Sequence, residues 1–319
     1  MNETTPPTTT DDCVSNGNST AWPMAVCLRV VVVLQCLGLG GRYLFSSFEM
    51  ESDVYGWLYF DCSWSESLAQ SIDNAGALLT LISGGFLCVT GWLMWKMPAE
   101  SRWFGVVKNL DQAAAGWSGL WMLLIATAHM MRAAVFAELS LPEHAVRIVA
   151  PLALAVCGVG AAPSSSAGRT RFAVMMLTVA ASFTFAAHGY KAYACYAPFT
   201  DLILLSDMQW TDIGITQATA EKVLVVIGVV DILVAVALLV FRSNAAAFYM
   251  VVWGLVTAAS RMTALGIDAW PESLIRIANG GVPLVILIHW SWNRTAKHSG
   301  QPRFAEQPRS YAKQSFDPS

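Results

Sequence analysis

Between Lys222 and Arg242 the chain runs VLVVIGVVDILVAVALLVF, about the length of a helix that crosses a bilayer core, with one charged residue, Asp231. Seven other stretches approach that character, near 23–45, 74–95, 113–137, 145–163, 171–190, 245–267 and 273–293. The fold expected is therefore all-α: a polytopic membrane protein with eight transmembrane helices. Composition agrees, since 55% of the 319 residues are hydrophobic and 13% charged, against about 25% charged in soluble domains. A net charge of −3 offers no basic surface for nucleic acid. The seven cysteines contain no Cys-x-x-Cys pair and define no disulfide framework.

The cations set the expected orientation. Lys96, Arg102 and Lys108, then Arg169 and Arg171, then Arg242, then Arg294, Lys297, Arg303, Arg309 and Lys313 fall on alternate connections, which reads as the cytoplasmic face. The other connections hold most of the acids, including Glu49, Glu51, Asp53, Asp61, Asp201, Asp207 and Asp212. Eight spans put both termini in the cytoplasm. Residues 1–21 lack the basic start of a signal peptide and read as a disordered tail, as does the basic segment 294–319.

The two halves resemble each other. Arg132, Pro142, Glu143, Arg147 and Ile148 recur 129 positions later as Arg261, Pro271, Glu272, Arg276 and Ile277. Gly41 and Asp53 match Gly189 and Asp201 at a spacing of 148, which implies an insertion in the first half, among Arg102–Ala115. Two four-helix units are expected, 22–163 and 164–293, related by an axis along the membrane normal. Each has a long acidic and aromatic outer connection, 55–64 and 201–210, which reads as an interfacial helix or as a lid over an intramembrane site. Each ends in a helical hairpin turning at Pro-Glu.

The second unit carries Phe183-x-x-x-x-His188-Gly-x-Lys191, then Phe199-Thr-Asp201-Leu-Ile, then Glu221 followed by Ile-Gly228-x-x-Asp231. This pattern resembles the DoxX-like membrane proteins, with residues 171–293 matching best. The resemblance implies a bacterial inner-membrane protein, with some relatives linked to quinone-dependent oxidation or membrane redox complexes and others to assembly of partner proteins. In the first unit the histidine and the intramembrane acid of that pattern are missing.

Ionisable residues inside spans are the candidates for function. Arg147 and Arg276 lie four residues beyond Glu143 and Glu272, the spacing of a helical ion pair. Arg132 and Arg261 have no such partner, and two guanidiniums facing one axis would receive a carboxylate, a phosphate or a quinone carbonyl. Asp231 lies mid-span, with Arg29 the nearest cation by depth. His188 and Lys191 complete the candidate ligand-binding set of Arg132, Arg261, Arg147, Arg276, His188, Lys191 and Asp231. His129 and His188 are the two candidates for haem ligands, set against an ordinary hydrogen-bonded role. No soluble-enzyme motif is present. The readings left open are a quinone-linked redox subunit, a scaffold whose outer loops dock another membrane or extracytoplasmic protein, and a small-solute transporter.

Overall fold

The structure, a computed structural model, describes residues 21–44, 52–98, 100–157 and 163–298. The expected tails lie outside the described residues apart from Ala21 and 294–298, as do Glu49 and Glu51. The described residues are helical throughout, without strands. In chain order they form α1 (Ala21–Leu44), α2 (Asp53–Gly56) running into a π turn (Trp57–Asp61), α3 (Glu66–Lys96), α4 (Phe104–Arg132), a 3-10 turn (Ala137–Leu139), α5 (Ser140–Glu143) and α6 (Ala145–Cys157). Then come α7 (Pro163–Tyr193), α8 (Ala197–Ser206) with a second π turn (Asp207–Thr211), α9 (Gln217–Phe241), α10 (Asn244–Leu265), another 3-10 turn (Ile267–Ala269), α11 (Trp270–Ile275) and α12 (Ala278–His298).

Six helical segments are long and apolar enough to cross a membrane: Pro23–Arg42, Glu66–Lys96, Ala137–Cys157, Gly168–Tyr193, Gln217–Phe241 and Asn244–Leu265. A seventh is the pair Ile267–Ile275 and Ala278–Arg294, bent by 45°. α4 occupies the remaining expected span and is 29 residues long, but its Gly, Ser, Trp and His residues dilute its hydropathy and it is not among them.

The element order of the first half recurs in the second, and so do the contacts. α1 packs on α3, α3 on α4, α4 on α6 and α6 on α1, just as α7 packs on α9, α9 on α10, α10 on α12 and α12 on α7. The halves meet along α6–α7 and α1–α12, with α5 against α7 and α11 against α1. The expected Pro-Glu hairpins are more elaborate than a single turn. In both, the chain leaves the helix through a left-handed residue, Phe136 (φ 59°) or Gly266 (φ 89°), before the 3-10 turn and the short helix. Phe136 tolerates this because its ring is held edge-on by Tyr190 and Tyr196.

Charge and apolarity are arranged inside out. Leu79, Phe86, Trp92, Val226, Leu233 and Val240 are exposed, whereas Gln35, Asp111, Arg147, Lys191, Asp231, Glu272 and Asn279 are buried. Helices approach through small residues, as membrane helices do. A Cβ on Gly228 would lie 2.5 Å from both the Gly189 carbonyl oxygen and the Tyr193 nitrogen, and one on Gly254 would lie 2.5 Å from the Asn279 backbone.

The connection between α8 and α9 is organised by a carboxylate. Asp207 is buried, and its Oδ1 accepts from the Thr211 hydroxyl and from the Ile213 amide at 3.1 Å, while Oδ2 accepts from the Ile215 amide at 2.7 Å. These donors, the Thr211 hydroxyl foremost, hold its carboxyl below the usual carboxylate range. A depressed folded-state value means the stabilisation is complete above the unfolded value, about 4, and is lost as pH falls through the folded one. Hydrogen exchange should show the Ile213 and Ile215 amides protected at neutral pH and still partly protected just below pH ~4, with Asp207→Ala, which removes both acceptor oxygens, abolishing that protection at every pH. For packing, Gly228→Ala should lower stability in detergent by about 1–3 kcal/mol, because backbone atoms cannot retreat. Gly85→Ala, which meets nothing within 4 Å, should leave stability unchanged or raised.

Candidate functional site

Two glutamates end the hairpins, and both reach across the seam between the halves. Glu143, the last residue of α5, meets α7: its Oε1 lies 3.3 Å from His188 Nε2, and its Oε2 pairs with Lys191 Nζ. Lys191 is only 2% exposed and lies over the Tyr196 ring, 5.1 Å from its centroid. Glu272 on α11 meets α1 in the same sense, with Oε1 3.5 Å from Arg42 Nη1. Its other oxygen, Oε2, pairs with Arg276 one turn on, and Arg276 Nη1 also donates to the Glu272 carbonyl at 3.0 Å.

The expected helical pair therefore forms in the second half, as Glu272–Arg276, and not in the first. Lys191 and His188 take the Glu143 carboxylate, which leaves Arg147 without it. Arg147 is 4% exposed and its Nε is buried with no hydrogen-bond partner; the Nε of Arg261 is buried in the same condition. Among the described residues no ion pair or side-chain hydrogen bond reaches either guanidinium. Both feel the fields of Arg276, Glu143 and Glu272, and Arg261 also feels that of Arg147. Five cations, Arg42, Arg147, Lys191, Arg261 and Arg276, thus surround two carboxylates. A buried cation without a counter-charge costs several kcal/mol. Two such guanidiniums in one interior region form a receptor for an oxyanion, whose oxygens accept the forked N–H donors.

The other expected residues lie elsewhere. Arg132 does not face Arg261 across an axis. It lies on the flank of the first half, where Asp53 and Asp61 approach it at 3.9 and 3.8 Å and the Phe60 ring centroid lies 5.9 Å away. The acids of the α2 connection capture it. Asp231 does not meet Arg29. It accepts from the Tyr249 hydroxyl at 3.0 Å and from the Trp253 indole, both on α10. Arg29 instead makes a forked pair with Asp111, with Nη2–Oδ2 at 3.0 Å, and Nη1 also donates to the Leu87 carbonyl at 2.7 Å. His129 sits 3.1 Å from Asp53 with its ring 5.5 Å from that of His144, and His188 sits on Glu143, so each of the two histidines spends a ring nitrogen on a carboxylate. Of the candidate set, the structure brings together Arg147, Arg261, Arg276, His188 and Lys191.

Sequence reasoning did not find Arg42, Asp111 or Gln35. Gln35 carried a signal, as the only amide in the apolar run VVVVLQCLG. Asp111 lies in the stretch that reads as an insertion, and Arg42 directly follows Gly41, the counterpart of Gly189. No family model matches the chain. No curated protein and no solved structure matches it either.

The two kinds of buried arginine should respond oppositely to substitution. Asp111→Asn strands Arg29 in the interior and should cost about 3–5 kcal/mol, whereas Arg147→Met, in anion-free buffer, should leave the unfolding midpoint unchanged or raised. A drop for Arg147→Met as large as that for Asp111→Asn would assign Arg147 a structural role.

Proposed function

We propose that this chain is an integral membrane protein built from two related four-helix units, and that it binds a small oxyanion between them. The observation that carries the reading is that Arg147, which is buried, and Arg261, which is partly exposed with its Nε buried, make no ion pair among the described residues. The membrane assignment is supported by the six or seven long apolar helices and by an interior more polar than the outward helix faces. The duplicated origin is supported by the recurring element order and packing, and by the reciprocal contacts of Glu143 with α7 and Glu272 with α1. In this reading eight helices cross, α4 among them, both termini are cytoplasmic, and the site lies in the outer half of the bundle.

The DoxX-like resemblance belongs to the same proposal, and with it the bacterial inner membrane. A neutral quinone carbonyl would accept hydrogen bonds from these arginines but would leave their charge unbalanced, so an anion is favoured. Docking of another protein by the outer connections would be compatible with such a site but is not required by it.

Equilibrium dialysis of the purified protein against labelled acetate and phosphate tests the reading. Saturable binding is expected, with Arg147→Gln and Arg261→Gln each weakening it about 10- to 100-fold, the value of a charge-assisted hydrogen bond. Undiminished binding in both variants would remove the site. Extraction of a stoichiometric quinone, lost in the same variants, would place the quinone-linked reading ahead of it.

A further inference from the structure

The unpartnered donors of the cluster are accompanied by unpartnered acceptors. Gln35, 1% exposed on α1, donates its amide nitrogen to the Arg147 carbonyl at 3.5 Å, which fixes it beside that residue, and its Oε1 is buried without a partner. Asn279, 3% exposed on α12, lies one turn beyond Arg276, and its backbone N–H donates to the Arg276 carbonyl at 2.9 Å. Its Oδ1 is also buried and unpartnered. The backbone of Asn279 lies against Gly254, two turns before Arg261 on the same face of α10. Ser273, one turn before Arg276, leaves its Oγ unpartnered in the same way. The helices α1, α6, α10, α11 and α12 thus bring to one region two guanidinium groups that need acceptors and two amide oxygens that need donors.

A simple anion answers half of this demand. Acetate or sulfate presents only acceptors, so it would satisfy Arg147 and Arg261 while leaving Gln35 Oε1 and Asn279 Oδ1 desolvated and unpaired, each at the cost of a buried unsatisfied group. A ligand with an O–H of its own beside the anionic oxygens supplies a donor for one of the two amide oxygens, and Gln35, tied to Arg147 by its own hydrogen bond, is the one held beside a guanidinium residue. We infer that the ligand is an oxyanion carrying its own hydroxyl donor, with Gln35 as the acceptor that selects it. This rests on the anion-binding reading and adds to it the chemical class of the ligand. A carbon-borne hydroxyl next to a carboxylate and the P–OH of a protonated phosphate share this chemistry. Selectivity follows because a site built to receive a hydroxyl rejects the analogue without one more strongly than an apolar pocket rejects a missing methylene.

Titration calorimetry on the full chain in detergent distinguishes the cases with four probes: glycolate against acetate, and phosphate against sulfate at a pH where phosphate retains a proton. At least one hydroxyl-bearing member is expected to bind tenfold or more tightly than its partner, and which pair shows the preference identifies the carbon or phosphorus source. Gln35→Met should move that ratio towards one, whereas Asn279→Leu should leave it unchanged. Should either variant fail to fold, the comparison of probes on the unaltered protein still decides the matter. Equal affinities within both pairs, with binding still dependent on Arg147, would overturn the hydroxyl requirement and leave the anion reading intact. Absence of binding by all four would overturn both.

Discussion

A guanidinium taken out of water must meet an acceptor, and in an interior made largely of Ala, Val and Leu there are few to be had. Glu143 and Glu272 are the carboxylates that face the seam between the halves, and the way they are shared determines the rest of this region. Glu143 is committed to Lys191 and His188, and Glu272 to Arg42 and Arg276. Arg147, buried, and Arg261, partly exposed with its Nε buried, remain outside every described ion pair. The positive interior is thus a consequence of which cations reach the two acids first.

The same glutamates tie the halves together. Each sits on a short helix that the chain forms only after a left-handed residue and a 3-10 turn, and each is thereby delivered to the first helix of the other half. The surrounding contacts are close because small residues line them, with Gly38 of α1 against Pro271 and Ile275 of α11, and Gly281 of α12 against Val31. Polar ties of this kind fix register where apolar packing alone would permit sliding, since a one-turn slip of α7 would separate Lys191 from Glu143. Away from the seam, Arg29–Asp111 in the first half and Asp231–Tyr249 in the second hold charged groups by satisfying them. Arg147 and Arg261 stand apart from both patterns.

What could be read from sequence was whatever depends on local spacing. Helix content follows from apolar runs, and Glu272–Arg276 from a separation of four residues. The recurrence of Arg, Pro-Glu and Arg in both halves pointed to the segments that hold Glu143, Arg147, Arg261, Glu272 and Arg276. What could not be read was the competition between partners distant along the chain. Lys191 lies 48 residues beyond Glu143 and displaces Arg147, which is nearer in sequence. Arg132 was drawn away by Asp53 and Asp61, acids on a connection whose path over the flank of the bundle only the fold supplies. Asp231 found a tyrosine hydroxyl and an indole, donors that a search for opposite charges overlooks. Helix α4 shows the limit from the other side, since it matches its neighbours in length while its hydropathy understates its place in the bundle.

If Arg147 and Arg261 bind an oxyanion, they are balanced by something other than protein. An experimental density map of the protein purified from its membrane, at a resolution that shows side chains, tests this most directly. Non-protein density is expected within hydrogen-bonding distance of the Arg147 and Arg261 guanidinium groups, absent when both are replaced by methionine. A map in which both groups contact protein carboxylates, or in which ordered water alone surrounds them, would contradict it.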